Sequence, residues 1–244
     1  GVRGGSATVH FPIWHQEIED IMVLKNNKGT EDNRVRKLDY SIQISKLFYE
    51  RFIKDEEITL FSPHETPGLY EAFGMPEFDE MYEMYERKTS ISKKKIRAQE
   101  LFMNLLKERA ETGRIYIMNI DHCNTHSSFK DKVYMSNLCQ EITLPTTPVQ
   151  HIDDEDGEIA LCILSAVNLG LIRDKDDLEE LCDLSVRALD EIIDYQEYPI
   201  LAAKQSAQSR RSLGIGYIGL AHYLAKNHVA YGDKEALELV DETT

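Results

Sequence analysis

Between Ser136 and Ile142 the chain reads Ser-Asn-Leu-Cys-Gln-Glu-Ile, placing an amide, a thiol and a carboxylate at alternate positions, Asn137, Cys139 and Glu141. In an α-helix Cys139 would point away from the other two, which would lie about 40° apart around the axis, whereas an extended chain sends all three to one side. A straight strand would still hold Asn137 and Glu141 roughly 13 Å apart, too far for both to touch one small substrate. A segment able to do chemistry here is therefore extended and bent at its tip. The thiol can serve as a nucleophile or one-electron carrier, the carboxylate can take a proton, and the amide can donate and accept hydrogen bonds. A free cysteine is more often a buried small hydrophobe. An inert Cys139, however, would have Asn137 and Glu141 on its own face, where both would require partners.

The elements that must position this segment are ample. The chain has 244 residues, 42% hydrophobic and 29% charged, enough to bury a substantial core and unlike a disordered composition. A net charge of −15 argues against a general binder of nucleic acid or membrane surface, because phosphate affinity comes from clustered Lys and Arg. Four cysteines, Cys123, Cys139, Cys162 and Cys182, in a chain with no signal-like start and no long apolar run, suggest a reducing, cytoplasmic setting in which any disulfide is catalytic rather than structural. The chain begins Gly-Val-Arg and stops at DKEALELVDETT, where a helical pattern has only begun. Both ends read as cut.

TVHF reads as a short strand, and Pro12 as the start of a helix in which Ile18, Ile21 and Met22 share a face. Trp14 and His15 read as packing residues rather than ligands. NNKG at 26–29 is a turn, after which Val35, Leu38, Ile42, Leu47 and Phe48 suggest one long helix ending near Lys54. ITLFSP at 58–63 reads as a short buried strand, and His64 and Glu65 as capping or loop residues. Tyr70, Phe73, Phe78, Met81, Tyr82 and Tyr85 form an aromatic stripe at helical spacing, a core feature because no basic face accompanies it. Residues 93–113 suggest an amphipathic helix closed by Gly113, and RIYIMNI a buried strand. Strands alternating with helices in this way imply an α/β protein with a largely parallel sheet.

Three further features invite chemistry. Cys123 lies between His122 and His126, all potential zinc ligands, but the spacing fits no zinc pattern. After the acidic turn at 153–158, residues 159–164 are apolar on both faces, as in a strand covered on both sides, which puts Cys162 in the interior. Cys182 falls on the Leu178, Leu181, Leu189 stripe of an amphipathic helix, a core position. Gly214, Gly216 and Gly219 match GxGxxG, with Asp233 and Glu235 at about the right distance for a ribose contact. That fingerprint needs a preceding strand and a complete βαβ unit, and the preceding segment is polar and arginine-bearing. Close packing of a strand on the next helix is the favoured reason for these glycines.

The Asn-x-Cys-x-Glu pattern resembles the finger loop of the large subunit of class I ribonucleotide reductase. Ordered blocks along nearly the whole chain resemble the same family: GVRGGSATVHFPIWH, LKNNKG with NRVRKLDY, ITLFSPHE, ERAETGRIYIMN with DHCNTH, GEIALC with LSAVNLG, and RRSLGIG. The resemblance implies that residues 1–244 are a partial catalytic barrel domain, a segment of a ten-stranded α/β barrel with a central finger loop, incomplete at both ends. It implies that Cys139 holds a transient thiyl radical that takes the 3′ hydrogen of a ribonucleoside diphosphate, that Glu141 accepts the 3′-hydroxyl proton, and that Asn137 hydrogen-bonds the sugar hydroxyls. Cys162 becomes one half of a redox dithiol whose partner lies outside the chain. Substrate contacts are expected from Arg3, Ser136, Asn137, Leu138, Cys139, Gln140 and Glu141. No metal site or directly bound cofactor is expected. The radical would come from a small subunit of diiron-tyrosyl type, ATP and deoxynucleotide effectors would bind mainly elsewhere, and thioredoxin or glutaredoxin would serve as reductant of a large-subunit homodimer, with no nucleic-acid or membrane partner. Alternatives are a catalytically inactive fragment that needs complementary segments, and a nicotinamide-binding module.

Overall fold

Parallel strands require long crossovers, and helices supply them here. The computed structural model describes residues 4–244, which divide into two compact units, one ending at Pro145 and the other running from Thr146 to Thr244. In the first, strand β1 (Thr8–Pro12) leads through helix α1 (Ile18–Met22) to β2 (Asp39–Ile44), α2 (Lys46–Ile53) and β3 (Glu57–Phe61). Helices α3 (Leu69–Ala72) and α4 (Phe78–Arg87), strand β4 (Lys93–Arg97), helix α5 (Ala98–Thr112), strand β5 (Ile115–Asn119) and helix α6 (Ile120–Thr125) follow. β1, β2 and β5 form a parallel sheet with β2 in the middle, while β3 and β4 pair antiparallel.

The pleat of β2 decides what this sheet can hold. Ile42 and Ile44 turn to one face and join a core of Ile13, Ile18, Phe48, Leu101 and Leu105. Ser41 and Gln43 turn to the other face, and both are fully buried (0% exposed). His10 lies opposite Ser41 in the register, so a polar row crosses two adjacent strands. The aromatic stripe is core as expected: Phe73, Phe78, Tyr82 and Tyr85 pack with Trp14 and Phe61 in a second cluster, against which Tyr70 and Met81 rest. Gly113 caps α5 in the left-handed conformation, φ +65°. His64 and Glu65 lie in a single 3₁₀ turn, where the Glu65 carboxylate accepts the Ser92 N–H at 2.9 Å.

Three elements depart from expectation. Pro12 ends β1 rather than starting a helix, and α1 begins only at Ile18, although its buried Ile18, Ile21 and Met22 form the expected face. The helix expected from Val35 to Lys54 is instead β2 followed by α2, with Ser45 at the junction. Apolar residues at 35, 38 and 42 fit a helical period, whereas the alternation of Tyr40, Ile42 and Ile44 with Asp39, Ser41 and Gln43 carries the period of two that the chain follows. Lys93–Arg97 is a strand, not the first turns of α5. It pairs Ile96 with Ile58 and leaves Lys94 and Lys95 exposed, the charged edge by which sheets avoid further pairing.

Tyr82 joins α4 to β3 by accepting the Thr59 N–H at 2.7 Å and donating to the Thr59 carbonyl at 2.6 Å. Both partners are buried, so Tyr82→Phe would leave two backbone groups short of a partner. The expected loss is about 1–3 kcal/mol of stability, read as a lowered midpoint in a urea titration. An unchanged midpoint would show that water replaces the phenol.

The second unit contains β6 (Ile163–Asn168), α7 (Lys175–Tyr195), α8 (Leu201–Arg210), β7 (Leu213–Ile218), α9 (Leu220–Lys226) and α10 (Lys234–Thr243). β6 and β7 pair in parallel from Ile163↔Leu213 to Asn168↔Ile218. The strand expected at 159–164 is therefore displaced. Residues 159–162 form an irregular lead-in, because the partner strand offers pairing only from Leu213 onward. Leu164 is 62% exposed, so this pair is not covered on both faces. Val167, Leu169 and Ile172 make its small core, with Leu178 and Ile215 against them. The α/β class holds throughout, with β3 and β4 as the antiparallel exception. Among the described residues no helix is long and apolar enough to cross a membrane.

Candidate active site

From Ser136 to Ile142 the chain is neither helix nor regular strand. Its base is pinched: the Asn137 N–H donates to the Ile142 carbonyl at 3.3 Å, the Ser136 hydroxyl donates to the same carbonyl at 2.5 Å, and Asn137 Oδ1 accepts the Ile142 N–H at 3.0 Å. Its tip is a turn closed by the Gln140 N–H on the Asn137 carbonyl at 3.3 Å. Cys139 and Glu141 are exposed at this tip, whereas Asn137, Leu138 and Gln140 are half-buried. Thiol and carboxylate are thus both presented outward, with the residue between them turned inward. Asn137 differs from its two neighbours because its Oδ1 is engaged inside the loop. The Nδ2 half is what it can offer to a ligand.

The loop rests on the polar row of the sheet. Thr8 Oγ1 donates to the Leu138 carbonyl at 2.8 Å, Ser41 Oγ donates to Gln140 Oε1 at 3.0 Å, and Gln43 Nε2 donates to the Tyr134 carbonyl at 2.5 Å. His10 Nε2 lies 3.1 Å from the Ser136 carbonyl oxygen. A carbonyl can only accept, so Nε2 carries the proton. Burial lowers the His10 pKa, and the bond to Ser136 opposes that shift. None of these four supports stood out in the sequence. The available signal was the polar pair Ser41 and Gln43 alternating with Tyr40, Ile42 and Ile44.

Beside the loop lies an open cleft of about 240 Å³, bounded by Asn119, His122, Cys123, Ser136, Gln140 and Thr143 among others. Burial raises the pKa of the Cys123 thiol. His122 and His126 meet edge to face, ring centres 5.5 Å apart. Among the described residues no three His, Cys, Asp or Glu side chains come together to hold a metal ion.

In the second unit Cys162 is half-buried just before β6, not deeply interior, and burial raises its pKa. Gly214 on β7 faces it. A Cβ there would come within 3.1 Å of Cys162 Sγ and 2.5 Å of Leu164 Cδ2, so a larger residue would push the exposed end of Leu164 aside and crowd the thiol. Gly219 (φ +74°) likewise lies against Asn168, whose Oδ1 would be 2.5 Å from a Cβ. Gly216 meets nothing within 4 Å, and the close neighbours of Gly214 and Gly219 belong to β6 and the residues flanking it rather than to the next helix, where the packing was expected. Gly214 and Gly216 lie within β7 rather than in the loop after a strand, which is where a dinucleotide fingerprint needs them. Cys182 is exposed on α7, contrary to the core position expected. Leu181, beside it, is 39% exposed, and the buried face of α7 runs instead through Leu189 and Ile193. Arg3 lies outside the described residues.

A bent loop with an exposed thiol and carboxylate, seated on a parallel sheet, is a feature that can be compared across known proteins. The family model for the barrel domain of ribonucleotide reductase matches residues 1–244, and the chain belongs to that family. Among its relatives are the ribonucleoside-diphosphate reductase alpha subunits of Buchnera aphidicola (from Schizaphis graminum) and Haemophilus influenzae, each 59% identical across the whole chain. The ribonucleoside-diphosphate reductase 1 subunit alpha of Escherichia coli is 56% identical, again across the whole chain. These alignments cover 32%, 33% and 33% of the relatives. The chain therefore spans about a third of the length of the curated relatives it matches.

Proposed function

We propose that this chain is the catalytic part of a ribonucleoside-diphosphate reductase large subunit and that residues 136–142 are its finger loop, set in a ten-stranded α/β barrel. The observation that carries this is the loop itself, a pinched and bent segment with Cys139 and Glu141 both exposed at its tip. Cys139 loses its S–H hydrogen to a radical supplied by a separate small subunit. The resulting thiyl takes the 3′ hydrogen of the substrate ribose. Glu141 accepts the 3′-hydroxyl proton, which helps the 2′-hydroxyl leave as water, and the Asn137 amide holds the sugar hydroxyls. A dithiol that includes Cys162 supplies the proton with which the 2′-hydroxyl departs and then a second proton and two electrons to C2′, becoming a disulfide, while Glu141 returns its proton to the 3′ oxygen. Cys139 returns the 3′ hydrogen to the deoxyribose and regains its radical. Arg3, Ser136, Leu138 and Gln140, the last through its backbone, complete the proposed substrate contacts, and a thioredoxin-type or glutaredoxin-type protein would reduce the disulfide.

Cys162 provides the test. A serine hydroxyl cannot form a disulfide, so Cys162→Ser in the full-length subunit should still allow the Cys139 radical to form on mixing with the small subunit and substrate. Sustained turnover with a dithiol reductant should be lost. Undiminished multiple turnover would show that another thiol does this work.

A further inference from the structure

Gln140 is where the loop leaves ordinary backbone geometry. Its φ is +70°, in the left-handed region that residues with a side chain adopt only when their surroundings hold them there. The side chain supplies the hold. Oε1 accepts from Ser41, which is completely buried on β2, and Nε2 donates to the Asn137 carbonyl at 3.4 Å, while His10 Nε2, itself a donor, lies 3.4 Å away as a packing neighbour. His10, the register partner of Ser41, also bonds the Ser136 carbonyl, so the tip and the base of the loop are tied to one row of the sheet. A left-handed residue anchored in this way fixes the directions in which its two neighbours leave the chain. Those neighbours are Cys139 and Glu141, both exposed.

We infer that Gln140, clamped by Ser41 and by the Asn137 carbonyl, is a positioning residue that sets the pose of Cys139 and Glu141 instead of contacting substrate through its side chain. This rests on the reaction proposed for Cys139. Hydrogen transfer between sulfur and carbon is sensitive to small displacements, and misplacement by about 1 Å can cost on the order of a hundredfold. The clamp therefore acts on the chemical step and leaves substrate binding to other groups.

The test uses the full-length subunit with its small subunit and a ribonucleoside diphosphate. Gln140→Met keeps the length but cannot accept from Ser41, and kcat should fall about ten- to a hundredfold with KM little changed. Gln140→Gly relaxes the backbone but removes the anchor, and it should lose a similar factor. Ser41→Ala should lower kcat in the same sense, and Ser41→Ala with Gln140→Met should be no worse than the poorer single variant, because both break one interaction. Wild-type kcat in Gln140→Gly would show that only the turn matters, and losses that multiply in the double variant would show that the two residues act separately. Either result overturns the inference, as does a rise in KM with kcat unchanged. A Gln140→Met protein that fails to fold leaves the decision to Ser41→Ala and Gln140→Gly. Cys139→Ser, assayed alongside, separates the two levels: an active Cys139→Ser overturns the proposed reaction, whereas an inactive one beside fully active Gln140 variants overturns the positioning role alone.

Discussion

Cys139→Ser is expected to abolish ribonucleotide reduction while leaving the fold and substrate binding intact. Hydrogen abstraction by a thiyl radical needs the weak S–H bond, and a serine O–H is too strong to exchange hydrogen with carbon in the same way. The side chain is exposed at the tip and makes no packing contribution that serine would forfeit, so stability should stay within about 0.5 kcal/mol of wild type, as for other surface changes. The measurement is deoxyribonucleotide formation by the full-length subunit with its small subunit, together with substrate-dependent loss of the small-subunit radical. Wild-type rates in this variant would sink the assignment.

Glu141→Gln separates proton transfer from hydrogen transfer at the neighbouring exposed position. Glutamine keeps the size and most of the hydrogen bonding but cannot accept a proton from the 3′-hydroxyl. General acid–base groups typically contribute about a hundredfold to ten-thousandfold, so a large loss is expected, and it need not be complete. Abstraction by Cys139 can still begin, which makes diversion of the reaction the distinguishing sign: radical loss continues, and substrate-derived fragments accumulate in place of product. A variant indistinguishable from wild type across the working pH range would leave Glu141 as a surface carboxylate.

The bend of residues 136–142 was legible in the sequence because the spacing of three polar side chains is a local pattern. Alternate Asn137, Cys139 and Glu141 demand an extended chain, and the reach of a small substrate demands a bend. The seat was not legible, because it is built from contacts between residues far apart in the chain. Thr8 and Leu138 are 130 positions apart, and Ser41 and Gln140 are 99 apart, with nothing local to announce either pairing. β2 is a different case, because Tyr40, Ile42 and Ile44 alternate with Ser41 and Gln43 as in a strand, but residues 35, 38 and 42 also fit a helical period that hid it. Cys182 shows the opposite failure. A leucine stripe located the helix correctly, but without the packing partners it could not fix which side of the stripe is covered.

The parallel sheet under the loop also dictates an order of assembly. Tyr40 is paired with Ile115, and Thr8 with Asp39, so every pairing in this sheet closes a long stretch of chain and bears its entropy before contacts repay it. Helices such as α4 and α5 need only neighbours in sequence. As the chain leaves the ribosome, β1 and β2 emerge well before residues 136–142, and the seat exists before its occupant. Until the loop docks, Ser41 and Gln43 must bond to water on that face. Their burial and the placement of Cys139 are consequently one event, and the thiol is presented only after the strands beneath it have found each other.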